Sequence, residues 1–175
     1  MQSISPMNTK FSDLISYFAI LAAQHVAIMH RENEKHFYRF ELEEVLTNLK
    51  NVHYPALILE GYRYSLTDKQ SDNVLKERTG AFCLIDHLKD VGDFDSMHQV
   101  WDNMESICDD LVARIRTDKR NPAIQVIKGI DLNSLQVALI ANTTDNNYGI
   151  RCTFTVVSPL SVDVDPAKWD FNVSL

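Results

Sequence analysis

The chain has 175 residues, a formal net charge of −7, 45% hydrophobic and 23% charged residues. That length holds one domain with a proper core and is too short for two comfortable ones, and the five prolines and five glycines do not suggest disorder. The acidity argues against a sequence-independent grip on nucleic acid, because such binding depends on Lys and Arg releasing counterions from phosphate.

Residues 1–8 read as an extended lead-in. Thr9 or Ser12 is placed to cap a first helix, in which Phe11, Leu14, Ile15, Phe18, Leu21, Ala22, His25, Val26 and Met29 keep helical spacing. From Ile15 to Met29 there is no formal charge, yet the run is shorter than the ~20 residues a membrane span needs and lacks a basic leader. A soluble core helix is expected. Because almost every position from Phe18 to Met29 is apolar or small, this helix touches something on more than one side, either its own core or a neighbouring subunit. His30 to His36 reads as a solvated connection, and Phe37 to Lys50 as a shorter helix with Leu42, Val45, Leu46 and Leu49 inward.

The stretch from Tyr54 to Arg120 is the organising one. Tyr54 to Leu66 is aromatic and aliphatic, and Tyr62, Tyr64 and Leu66 alternate with Arg63 and Ser65, which predicts a strand. Thr67 to Asn73 holds only turn formers and charges, and Val74 to Leu88 becomes apolar again around Ala81 to Ile85. A long antiparallel hairpin with a polar tip follows. Next, Phe94, Met97, Val100, Trp101, Met104, Ile107, Cys108, Leu111, Val112 and Ile115 recur at steps of three and four, with Asp102, Glu105, Asp109 and Arg116 on the other side. The pattern predicts an amphipathic helix of about six turns. Asp93 or Asp95 caps its start, and Arg114, Arg116, Lys119 and Arg120 crowd its finish before Pro122, as the macrodipole favours.

Beyond the helix, residues 123–129, 135–141 and 150–157 read as strands. The last two are joined by a turn rich in Asn, Asp and Thr, which predicts a second hairpin. The expected fold is α+β: an antiparallel sheet of two hairpins packed against the long helix and the N-terminal helix, all in one domain. From Ser158 the pattern breaks at Pro159, Asp163, Asp165 and Pro166, and residues 158–175 form a tail carrying Trp169 and Phe171. These aromatics either fold back on the domain or dock on another subunit.

Motifs for chemistry are missing. Six histidines occur without His/His or Glu/His helical spacing, so no metal site is expected. Cys83, Cys108 and Cys152 are isolated in apolar contexts, as buried free thiols of a chain that folds in a reducing cytoplasm. Cys83 and His87 share a strand face but lie about 13 Å apart, too far for a thiolate–imidazole pair. The glycines are dispersed and form no phosphate cradle or nucleophile elbow. The acidic side of the long helix reads as solvated. No catalytic residue and no cofactor are expected.

The order helix, long hairpin, long helix and further strands in a small acidic domain resembles the neck and tail-completion proteins of tailed bacteriophages, the tail-terminator-like ring subunits. The residues that carry the resemblance run from Gly61 through Asn73, from Arg78 to Phe82, and from Asp93 to Asp95 at the long helix, within a span of about 54–120. It implies a virion protein made in the host cytoplasm, a homo-oligomeric ring touching portal or other neck and tail proteins, and DNA passing through without specific binding. An acidic wall suits that passage. Phe18, Leu21, Val26, Asp68, Lys69, Asp72, Trp169 and Phe171 are the candidate subunit interface. The alternatives are a small soluble ligand-binding or regulatory domain, monomer or dimer, with a pocket at the sheet, and an enzyme whose site is assembled from scattered residues.

Overall fold

The computed structural model describes residues 10–39, 52–68, 74–89, 93–142 and 146–170. Helix α1 covers Phe11–Gln24. Strands β1 (Phe37–Arg39), β2 (Ala56–Leu59), β3 (Arg63–Thr67) and β4 (Val74–His87) follow. Helix α2 spans Phe94–Arg120, then come β5 (Ile130–Asn142), β6 (Asn147–Leu160) and one 3-10 turn at Pro166–Lys168.

The sheet order is β1-β2-β4-β6-β5. Strand β6 pairs with all of β4, from Val74 opposite Leu160 to His87 opposite Asn147. The other edge of β4 is shared: β2 lies along Phe82 to Ile85 and β3 along Leu75 to Thr79. Glu60 to Tyr62 separate the two, so the strand expected from Tyr54 to Leu66 is one run with a break in it. Its outer half, β3, is mostly exposed and stands beside the outer ends of β4 and β6.

Alternation assigns the faces. Phe82, Leu84, Ile150, Cys152, Phe154 and Val156 face the two helices and meet Leu14, Phe18, Leu21, Met104, Leu111 and Ile115 in the main core. Phe18 is the knot, with ring centroids 5.4 Å from Phe82 and 5.7 Å from Phe154. The opposite face carries a smaller cluster of Tyr38, Ala56, Ile58, Cys83 and Ile85. Both hairpins and α2 therefore form where the sequence pattern places them.

Four expectations change. The sheet is mixed rather than antiparallel, because β1 and β2 run parallel. Phe37 to Arg39 form that edge strand instead of opening a helix; the remainder of the expected helix, with Leu42, Val45, Leu46 and Leu49, lies outside the described residues. Residues 123–129 form successive turns: beyond Pro122, the N–H groups of Ile124, Lys128 and Ile130 each donate to the carbonyl three residues back, and the Asn121 side chain accepts from Ala123 N. Helix α1 stops at Gln24, short of Met29. There the His25 ring accepts the Ala27 N–H through Nδ1, Met29 turns to φ 53°, and His30 N–H returns to Ala22 O.

Helix α2 shows the cap that the sequence places there. The Asp93 carboxylate accepts from the Ser96 hydroxyl and from the Ser96 N–H at 3.0 Å, and these bonds, the hydroxyl's first, hold its carboxyl below the usual range. A depressed folded pKa contributes stability that is complete above the ordinary carboxylate pKa and is lost as pH falls through the depressed value. Asp93→Ala should lower the melting temperature at neutral pH. In a descending pH series followed by circular dichroism, the gap from wild type should close in acid; a gap independent of pH would show that the cap acts without its charge.

Candidate interaction surface

The residues expected at a subunit contact divide sharply by exposure. Phe18 and Leu21 are buried in this chain's own core and offer no surface to a neighbour. Apolar residues of α1 pack against the sheet and α2 of the same chain. Val26 is 83% exposed just past the helix end, beside exposed Ile20 and Met29. Asp68 is exposed at the base of the first hairpin tip, while Lys69, Asp72 and Phe171 lie outside the described residues. Trp169 is 64% exposed, and Val162 and Val164 on the same extension are exposed too. Residues 161–170 are all exposed.

Two further apolar strips were not anticipated. Tyr64 and Leu66 are exposed on β3, and Val137 and Leu139 on β5. Both strands are pattern-perfect, so their sequences say "strand"; only the sheet order shows that they lie at opposite edges. Strand β5 is guarded along part of its length. Between Asp131 and Gln136 it takes five steps while β6 takes two, a bulge fixed by the Ser134 hydroxyl donating to Asp131 O and accepting from Thr155 N. Carbonyls of Ile130 and Ile140 are taken by Lys119 Nζ and Trp101 Nε1.

Two buried carboxylates sit at the rims of the layers. Between α1 and the end of α2, Asp118 accepts from Tyr17 Oη at 3.0 Å and from Arg114 Nε at 2.9 Å. Burial first, and then the bond to Asp118, push the Tyr17 phenol above its ordinary range. An open groove of about 520 Å³ passes this trio, lined also by Ile20, Ile124 and Val126. On the sheet face away from α2, Glu60 holds Arg151 through Nη2 at 2.6 Å and accepts the Cys83 thiol at 3.4 Å, beside a polar groove of about 430 Å³.

In both trios the buried acid is paired with an arginine. All three cysteines are buried and none is in a disulfide. Cys108 on α2 faces Cys152 on β6, and their hydrogen bond pushes the Cys108 thiol up and the Cys152 thiol down.

Among the described residues, the architecture defines a class: an α+β domain with two helices on one face of a six-stranded mixed sheet, exposed apolar side chains on β3 and β5, and an exposed stretch from residue 161 to 170. No family model, no curated protein and no solved structure matches the chain.

The α1–α2 trio makes a stability prediction. Tyr17→Phe removes one hydrogen bond and leaves Asp118 with Arg114, which should cost roughly 0.5–1.5 kcal/mol in urea unfolding. Asp118→Ala strands the buried phenol as well and should cost more, about 1–3 kcal/mol. Equal losses would mean that the phenol is not dependent on this carboxylate.

Proposed function

We propose that this chain is a structural component of a tailed-bacteriophage virion, a subunit of an oligomeric neck or tail-completion ring that joins the portal to the tail and lets DNA pass. The observation that supports it most is the placement of exposed apolar residues on opposite edges of one sheet: Tyr64 and Leu66 on β3, Val137 and Leu139 on β5. A ring subunit needs two different, complementary patches on opposite sides, so that each copy contacts the next head to tail and rotation closes the set. The exposed extension with Val162, Val164 and Trp169 supplies a further arm for a neighbour. The net charge of −7 gives a wall that does not retain the genome by phosphate contacts. In this reading the protein is not an enzyme.

A second reading is favoured by the groove between the helices. Its volume of about 520 Å³ falls in the range of small-molecule sites, and its lining is largely apolar with Arg114 and Asp118 at one side. A small ligand-binding or regulatory domain would use it.

The native mass of the purified chain, by light scattering over a wide concentration range and then with portal assemblies added, separates the two. A closed oligomer is expected. Val137→Lys with Leu139→Lys should reduce it to monomer with an unchanged circular dichroism spectrum, since a charged outer strand resists pairing. A chain that stays monomeric in both settings rejects the ring and moves the groove to the front.

A further inference from the structure

The histidines that look scattered in the sequence do not stay scattered. His36 precedes β1 and His53 enters the segment before β2, and parallel pairing of these two strands brings their starts together. Glu34 arrives from the adjoining tight turn, in which Arg31 and Glu34 exchange backbone hydrogen bonds. One nitrogen from each histidine and one Glu34 oxygen all lie within 4.8 Å of one another.

The three residues are held to different degrees. His36 is buried and fixed from three directions: its N–H donates to His30 Nδ1 at 3.1 Å, its carbonyl accepts Leu57 N–H at 2.8 Å, and its Nδ1 lies 2.9 Å from Pro55 O. A carbonyl can only accept, so Nδ1 carries a proton, and in the neutral ring Nε2 keeps its lone pair. That lone pair points to the open side, 3.6 Å from Glu34 Oε1. His53 is placed by Tyr38, whose hydroxyl accepts His53 N–H at 3.1 Å and donates to Lys35 O. The rings of His36 and His53 stand 5.7 Å apart, centroid to centroid. Glu34 and His53 are exposed and can rotate.

We propose that Glu34, His36 and His53 form a binding site for a divalent first-row transition metal, with zinc as the ion that the ligands fit best. Two imidazoles and one carboxylate are donors that zinc accepts at about 2.0–2.2 Å, which sets ligand atoms roughly 3.3 Å apart in a tetrahedron. The pair already at 3.6 Å is close to this, and small rotations of the two exposed side chains bring in the rest. Magnesium and calcium prefer all-oxygen shells and are disfavoured by two nitrogens. The His36 contact to Pro55 O is the outer-shell bond that commonly orients a metal-binding imidazole. Three protein ligands leave a fourth position on the exposed side for water. The ion ties the turn before β1 to the segment entering β2, closing the 36–53 stretch of chain at the sheet edge. This site is independent of ring assembly.

The test is zinc binding to the full chain, freed of metal by a chelator and titrated with zinc chloride against a chromophoric competitor, with bound metal counted by elemental analysis after dialysis. One zinc per chain is expected. Glu34→Ala and His53→Ala, both at exposed positions, should each weaken zinc by about 100-fold or more, at or beyond the upper end of what loss of an outer-shell partner costs. His98→Ala, on exposed α2, should leave affinity unchanged. Cobalt substituted for zinc should give ligand-field bands without thiolate charge transfer, which separates this site from the cysteines. Failure of the wild type to outcompete the indicator, wild-type affinity in either alanine variant, or a thiolate band would each overturn the proposal.

Discussion

The fourteen-residue ladder between β4 and β6 is the constraint on which the rest depends. The middle of β4, from Ala81 to Ile85, is buried on both faces, so its backbone polar groups have only other strands to pair with. One edge goes wholly to β6. The other must be filled by β2 and β3, and this is why the chain from Ala56 to Thr67 follows β4 so closely before turning back. The approach is tight enough to dictate residue type: a Cβ built on Gly149 of β6 would lie 1.9 Å from Leu84 O. With the ladder in place, Phe82, Leu84, Ile150, Cys152, Phe154 and Val156 present one apolar face, and α1 and α2 have a common surface to cover.

That ladder also explains which parts of the fold were legible. Periods of two and of three to four, with turn formers between, mark β3, β4, β5, β6 and α2, and β6 and α2 each bury one stripe against the main core. The Asp93 cap was legible for the same local reason. What failed was non-local or too short to carry a period. Phe37 to Arg39 is only three residues long, and nothing in it announces parallel pairing with a strand some twenty residues on. Ile124, Val126 and Ile127 look like strand residues, yet Ile127 and its neighbours reach the core from turns that Asn121 and Pro122 begin. Of the candidate interface residues, Val26 and Trp169 are exposed, whereas Phe18 and Leu21 lie in the chain's own core. Composition cannot tell a helix covered on two sides by its own chain from one shared with a neighbour.

The charged groups follow the layers in a comparable way. Asp118 and Glu60 are buried acids, but each meets an arginine, Arg114 or Arg151, whose own side chain is close to half exposed. An arginine at a rim keeps part of its hydration while its guanidinium reaches inward, so the desolvation penalty of the pair is smaller than for two fully enclosed ions. Asp118 also ties α2 to α1 through the Tyr17 hydroxyl, and Arg151 ties the Glu60 break to β6.

A sheet with edge strands at β1, β3 and β5 must avoid unlimited pairing. On the β3 side, the strand is short and carries Arg63 on one face, while Lys76 of β4 lies over the Tyr64 ring at 4.0 Å on the other. On the β5 side, the bulge before Gln136 removes the first half of the strand from any regular ladder, and Trp101 takes the Ile140 carbonyl. What is left straight is the short run that holds Val137 and Leu139. A contact confined to a few residues, with side chains rather than a whole backbone edge to satisfy, is specific in register and limited in extent. The same locality applies at β1, where three residues of parallel pairing suffice to bring His36 and His53 together. In both places the edge of the sheet, not its centre, is where side chains from distant parts of the chain remain open to a partner.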